Sequence, residues 1–366
     1  MALVAVIGIL ERLYLSSLGE NYDMESWWLV SGLVVQGDSV FAHTHRYNYG
    51  PIWGAILGCL RSLVILTGED SIHRFHVLVA VFLSLIDLGI AVVLLRGFGL
   101  AAFSFMLLNP VNVLITGFHS QMDGIAILLA LLFWQRFNAS PSTPASNRQA
   151  GCLLGLSLMA KHMLVPFLPW IVVSERPTLK RIGTLVVVLG VGLALFAFGF
   201  MPWLFDEESR RGIASHVIRY TSTEGPSLIQ AVYSFLCRLL PMLAVVPLRT
   251  FFITSLVLLG CLVVPRSPSR SYDLFLYLLA LVALSSGTQD QYLAIPMCAA
   301  AASLRLWWSW AYTSLATATI LVSSWNVGSR IGIPALEPLH EGLFIATQLA
   351  ALGLLVRLTS LRSSPQ

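Results

Sequence analysis

Residues 20–28 read ENYDMESWW, which sets Glu20, Asp23 and Glu25 within six positions and follows them at once with Trp27 and Trp28. A carboxylate held near a hydroxyl can take its proton as a general base. HTHRYNYGP (43–51) follows, with His43, His45, Arg46, Tyr47, Asn48 and Tyr49, then GFHSQMDG (117–124) with His119, Gln121 and Asp123. GLSLMAKHMLVPFLPW (155–170) carries Lys161 and His162, and GTQDQY (287–292) carries Asp290, Gln291 and Tyr292. Arg46, Lys161 and His162 are groups that can hold a negative charge; the amides, phenols and remaining acids can bond hydroxyls.

Each cluster also has a plainer reading. Asp23 and Glu25 can be ordinary loop acids, and the tyrosines an interfacial aromatic belt. Asp123 or His119 can cap a helix. Lys161 can snorkel to the membrane surface, although its place in mid-segment argues against that. GTQDQY can be a polar turn. His43 and His45 could bind a metal, but two histidines two residues apart are weak evidence for one. Asp87 stands alone in an apolar run, with no partner evident.

These groups sit in a chain that cannot face water all round. Of its 366 residues 57% are hydrophobic and 11% charged, with a mean hydropathy of +0.79. Soluble domains carry roughly 25% charged residues. The apolar runs are long and unbroken, unlike the alternating strands of a membrane barrel, so the expected fold is all-α, a polytopic bundle of about 10–12 apolar segments. A crossing needs about 20 apolar residues. The candidates are 2–18, 51–67, 73–95, 98–117, 123–136, 150–173, 182–203, 243–264, 272–286, 291–304, 306–323 and 340–357. The five cysteines are scattered without a CxxC pair and read as small buried hydrophobes. No cleavable signal peptide is evident. SPSTPASN (140–147) reads as a loop. The net charge of +4 reports topology and gives no reason to expect a nucleic-acid partner.

Basic residues in 136–149, 174–181, 265–271 and the tail mark these as cytoplasmic, which turns 20–50, 204–226 and 287–291 to the other face. Two segments must then break. One is 98–117, at Pro110; the other is 150–173, too short for two crossings, with Lys161 at the apex of a broken hairpin. Irregular backbone at membrane depth survives where it is buried in protein or lines a cavity, and an intramembrane charge is functional by default. Trp27, Trp28 and the apolar residues after them suggest a helix lying in the interface, holding the acids at the membrane surface.

The order of these clusters resembles the C-fold superfamily of integral-membrane glycosyltransferases, which take a sugar from a polyprenyl or dolichyl phosphate. NYDMESWW…GDSVFAHTHRYNYGPIW is similar to its first outer loop, and LNPVNVLITGFHSQMDGIAILLALLFW to the Asn-Pro and His-x-Gln-x-Asp stretch of bacterial relatives of GPI mannosyltransferases and of dolichyl-phosphate-glucose glucosyltransferases. GLSLMAKHMLVPFLPW resembles the Lys-plus-Pro segment and GTQDQYLAIP the Gln-Tyr-Leu motif, so the likeness spans about residues 1–300. Two departures stand out. The acid pair is Asp23-Met24-Glu25 rather than Asp-x-Asp, and Lys161 lies five residues before Pro166.

The resemblance implies a single integral-membrane domain over 1–366, with a catalytic module over about 1–203 and more variable helices over 204–366. It implies transfer of mannose or glucose to a lipid-linked or glycan acceptor, with inversion. Asp23 would be the base and Glu25 its helper. Arg46, Lys161 and His162 would hold the donor phosphate. Tyr47, Asn48, Tyr49, His119, Gln121, Asp123, Asp290, Gln291 and Tyr292 would bind sugar or acceptor. No metal or other cofactor is expected, because the leaving group is a lipid monophosphate. The partners would be that donor, the acceptor and membrane lipids. The expected location is a bacterial plasma membrane, or else the endoplasmic reticulum, with the site facing periplasm or lumen. The rival reading is a transporter or flippase of a glycolipid or lipid-linked sugar, although the matched halves usual in transporters are not evident.

Overall fold

The computed structural model describes residues 1–139, 143–174, 179–219, 227–267, 269–287, 289–323 and 327–360, with the side chains of all of these except 179–181. Among the described residues there are helices and no strands. In chain order the first are α1 (Ala2–Ser16), α2 (Tyr22–Gln36), α3 (Val40–His43), α4 (Pro51–Leu66), α5 (Ile72–Leu108) and α6 (Pro110–Leu114). A π-helical turn (Ile115–His119) leads to α7 (Asp123–Asn138) and α8 (Pro144–Ala160). A 3-10 stretch (His162–Phe167), α9 (Leu168–Ser174), α10 (Leu179–Gly199) and α11 (Glu207–Gly212) come next. Then follow α12 (Leu228–Leu239), α13 (Leu248–Val263), α14 (Asp273–Ala283), α15 (Met297–Ala302), α16 (Trp307–Val322) and α17 (Glu337–Ser360).

The chain forms two compact units, the first comprising Met1–Val93, Asn112–Val165 and Leu179–Tyr220, the second the remainder. In the first unit α8 packs against α7 and α10, α2 against α4, and α1 against the π-helical turn. In the second unit α17 packs on α14 and α16, and α9 on α13.

This is a membrane protein. Ile72–Leu108, Ile182–Gly199, Leu248–Arg266 and Glu337–Ser360 are the described helices long and apolar enough to cross a bilayer. The Ile182–Gly199 segment has a mean hydropathy of 2.4, yet only 11% of it is buried within the protein. So apolar a surface is stable only against an apolar surrounding. The same reason corrects the expectation for the cysteines: Cys298 is buried, but Cys59, Cys152 and Cys261 are exposed and Cys237 half-buried. A thiol facing lipid has no drive to hide.

Local chemistry sets the helix ends. Asn21 caps α2, its Oδ1 accepting from the Met24 backbone N–H at 2.9 Å, and Gly37, at φ 81°, ends that helix. Pro51 opens α4. Apolar segments 73–95 and most of 98–117 run together as α5, interrupted at Gly99 (φ 82°). The helix stops at Leu108 and restarts at Pro110, because proline is compatible with a helix's first turn and not with its interior. Ser140–Pro141–Ser142 lie outside the described residues, but Pro144–Asn147, expected as loop, is the first turn of α8. Thr143 and Ser146 form a reciprocal capping box there, which makes this polar stretch a helix start. At the other end Lys161 leaves the helix with extended backbone (φ −148°, ψ 127°), so the break expected in 150–173 falls at Lys161 itself.

A close approach fixes that break against the aromatic loop. A Cβ on Gly50 would sit 1.8 Å from the Met159 carbonyl oxygen, and the Gly50 N–H donates to the Ala160 carbonyl at 3.3 Å. The Tyr47 hydroxyl stiffens the same loop, donating to the Gly50 carbonyl and accepting from the Gly54 N–H, each at 2.6 Å. Gly50→Ala is expected to cost about 1–3 kcal/mol or more by overpacking. Gly183→Ala, on α10 with open space around it, is expected to be neutral or to gain up to about 1 kcal/mol from helix propensity. Thermal unfolding of both variants in one detergent checks the contrast.

Candidate functional site

The first unit assembles the polar clusters from α2, the loop before α4, the turn after the π-helical segment and the end of α8. Asp23 lies in the first turn of α2, where the positive end of the helix dipole favours an acid. Its Oδ2 accepts from Gln121 Nε2 at 2.6 Å and lies 3.2 Å from His119 Nδ1. The Asp23 side chain keeps 23% of its surface exposed, whereas that of His119 keeps 6%. Both partners use one oxygen, which leaves Oδ1 as the oxygen for an incoming proton donor.

Beside this cluster Lys161 bonds Asp123 Oδ1, with both side chains largely buried. Asp123 stands in the first turn of α7, with Met122 at the cap position. Neither Asp123 nor His119 caps that helix; Asp123 is a counter-ion. Lys161 is likewise no snorkelling side chain, since its ammonium is turned inward onto a carboxylate. Tyr49 joins the clusters. Its hydroxyl donates to Gln121 Oε1 at 3.4 Å, and Lys161 Nζ lies 5.3 Å from its ring centroid.

The backbone that makes this possible is unusual. His119 ends the π-helical turn, and Ser120 follows in the left-handed region at φ 52°, ψ 47°. That reversal carries His119 and Gln121 to the same carboxylate. A residue with a Cβ pays about 1–2 kcal/mol for such a conformation, and neighbours hold it in place. Trp27 Nε1 donates to the Ser120 carbonyl at 3.2 Å, and Asn21 Nδ2 to the Phe118 carbonyl at 3.1 Å. Trp27 is itself wedged edge-on against Tyr49 and Trp53, with ring centroids at 5.2 and 5.6 Å. Helix α2 thus grips the 118–120 backbone with Asn21 and Trp27 while presenting Asp23 between them.

Other expected residues stand elsewhere. Glu25 and Arg46 form a more exposed pair at 3.8 Å, with the Arg46 guanidinium 4.1 Å from the Tyr22 ring centroid. Tyr47 is fully buried and its hydroxyl serves the loop; burial drives its phenol well above the usual range. Both of the hydroxyl's hydrogen bonds are spent on the loop backbone. Asn48 is half-buried, and His162, also half-buried, opens the 3-10 stretch. His43, exposed, bonds the Ser39 carbonyl at 2.9 Å. Asp290, Gln291 and Tyr292 belong to the second unit, where buried Asp290 Oδ1 lies 2.7 Å from His340 Nε2. Among the described residues no group of three or more His, Cys, Asp or Glu side chains is placed to hold a metal ion.

Sequence reading missed Asn21, Trp27, Arg12 and Thr116 as parts of this assembly. Asn21 was findable, as an Asn directly before a helix with two acids in its first turn. Arg12, a lone cation in the first apolar run, is the counterpart of Asp87: its Nη2 lies 3.0 Å from Asp87 Oδ2. No protein-family model, curated protein or solved structure matches the chain.

Ser120→Gly is expected to keep thermal stability within about 1 kcal/mol of the parent, since relief of left-handed strain offsets the added unfolded-state freedom. Ser120→Val, β-branched, is expected to lower it clearly. Paired melting curves of the two variants provide the check.

Proposed function

We propose that the chain is a membrane glycosyltransferase that moves a hexose, mannose or glucose, from a polyprenyl or dolichyl phosphate to a lipid-linked or glycan acceptor. The observation that carries this reading is Asp23, a partly exposed carboxylate bonded by Gln121 and His119, with the Lys161–Asp123 pair beside it across Tyr49. The reaction needs few parts. An acceptor hydroxyl attacks the anomeric carbon, the bond from that carbon to the phosphate oxygen breaks, and the lipid phosphate leaves with the electron pair. A base takes the hydroxyl proton, and cationic or hydrogen-bonding groups stabilise the charge growing on the phosphate.

In this reading Asp23 Oδ1 takes the proton. Gln121 and His119 hold the carboxylate by Oδ2 and leave Oδ1 to the acceptor hydroxyl. Lys161 meets the phosphate, an ammonium having three donors to divide between Asp123 and a ligand. Glu25 orients the acceptor and Arg46 is the second cation at the rim. His119 and Gln121 therefore orient the base; Tyr49, Asn48 and Asp123 remain the candidates for sugar contacts in this unit. His162 would serve the phosphate. We assign the membrane as a bacterial plasma membrane, with the site facing the periplasm. No metal is required, since a lipid monophosphate is already a good leaving group.

The test is a transfer assay in nanodiscs with polyprenyl-phosphate mannose and polyprenyl-phosphate glucose, with lipid extract as acceptor. Asp23→Asn is expected to lower turnover by at least about 100-fold, as for loss of a general base, while donor binding persists. Near-parental turnover would remove Asp23 as the base. Donor movement across the bilayer without transfer would favour the transporter reading. A second measurement concerns the phosphate. Lys161→Ala combined with Asp123→Asn, so that no lone carboxylate stays buried, is expected to weaken donor binding about tenfold or more. Unchanged donor affinity would pass the phosphate role to Arg46.

A further inference from the structure

One buried ionic cluster is left over from the chemistry above. Arg12 on α1 is 1% exposed and Asp87 on α5 is 5% exposed. Arg12 Nε donates to Asp87 Oδ2 at 3.1 Å and Nη1 donates to the Gly8 carbonyl at 2.8 Å. Thr116 Oγ1, in the π-helical turn, donates to the same Asp87 Oδ2 at 2.8 Å. Packing follows the bonds. A Cβ on Gly117 would lie 2.9 Å from both Cα and the carbonyl oxygen of Arg12, and one on Gly124 would lie 3.4 Å from Asp87 Oδ1.

The 117–124 segment carries His119, Gln121 and Asp123, and it is flanked by these contacts. Thr116 and Gly117 seat its start on the ion pair and on α1, and Gly124 seats its end against the other oxygen of Asp87. A π-helical turn admits one more residue than an α-turn between its bonded groups, so its register needs an external anchor. Burying a guanidinium and a carboxylate is expensive unless their hydrogen bonds are filled, and Thr116 fills one of them. An anchor of this kind resists sliding, because slipping the turn by one residue would replace the Thr116 hydroxyl with Ile115 or Gly117.

We propose that Arg12, Asp87 and Thr116 are positioning residues, which set the register of the π-helical turn and thereby aim His119 and Gln121 at Asp23. The proposal rests on the reading of Asp23 as the base, but its geometric half can be tested without turnover. Substituting Arg12 or Asp87 alone leaves a buried charge and risks the fold, so the informative position is Thr116. Thr116→Val keeps the ion pair and the side-chain shape and removes one hydroxyl; Thr116→Ser restores the hydroxyl.

Two readouts are taken on these variants. In the nanodisc transfer assay, Thr116→Val is expected to lower kcat about 10- to 100-fold, the scale of an ångström-sized misplacement. The KM for the lipid-phosphate sugar should stay within about twofold of the parent, and Thr116→Ser should restore kcat. In the second readout the protein carries 5-fluorotryptophan, and the Trp27 resonance is assigned with Trp27→Phe. That indole donates to the Ser120 carbonyl, so its fluorine signal reports where the turn sits. The signal is expected to shift or split in Thr116→Val and to return in Thr116→Ser. An unchanged Trp27 signal in Thr116→Val, or parental kcat in that variant, would overturn the proposal. A parent protein that transfers no sugar would overturn the glycosyltransferase reading alone, and the fluorine signal would then decide the positioning by itself.

Discussion

Within a bilayer every polar group must find its partner inside the protein, and the site region of the first unit is organised around that constraint. Arg12 and Asp87 neutralise each other inside the protein, and Thr116 completes the cluster. Removing one member of such a pair typically costs about 3–5 kcal/mol, because the other is stranded. The pair therefore ties α1, α5 and the π-helical turn together more specifically than apolar contact could, since Leu against Leu has many near-equivalent registers and Arg against Asp has few.

From that base the polar clusters are built outward in steps. The ion pair and the Gly117 contact hold the turn, and Ser120 reverses the chain. Trp27 and Asn21 clamp the reversal from α2, and the same helix delivers Asp23 to His119 and Gln121. The Gly50–Met159 approach brings the aromatic loop onto the end of α8, where Lys161 turns to Asp123. Polar side chains that would each be costly in isolation are arranged as pairs, each member lowering the cost of burying the other. This is a physical reason for a membrane protein to keep carboxylates and an ammonium close together at one place.

The polar clusters of the first unit sit at irregular backbone. The π-helical turn, the left-handed Ser120 and the extended Lys161 all depart from ideal helix geometry. Each frees a side chain or a backbone group that a straight helix would have kept along its own face. Strain of this kind persists only where surrounding contacts over-determine it, as Asn21, Trp27 and Thr116 do here.

The helical class, the membrane setting and most helix positions were legible in the chain because long apolar runs and proline or glycine punctuation act locally. The helix carrying Asp23 and the break at Lys161 were legible for the same reason: a tryptophan pair followed by apolar residues, and a charge in mid-segment followed by prolines. Local order could not say which charges meet. Asp87 had no visible partner because Arg12 is 75 residues away, and the meeting of Asp23 with His119 and Gln121 spans 96 and 98 residues. Tyr47 and Tyr49 stand two residues apart, and one phenol is turned into the loop and the other toward Gln121. Composition and spacing determine which residues are costly to leave alone in a bilayer. Only the packing of distant helices decides their partners, because pairing depends on distance in space and on the direction in which each backbone presents its side chain.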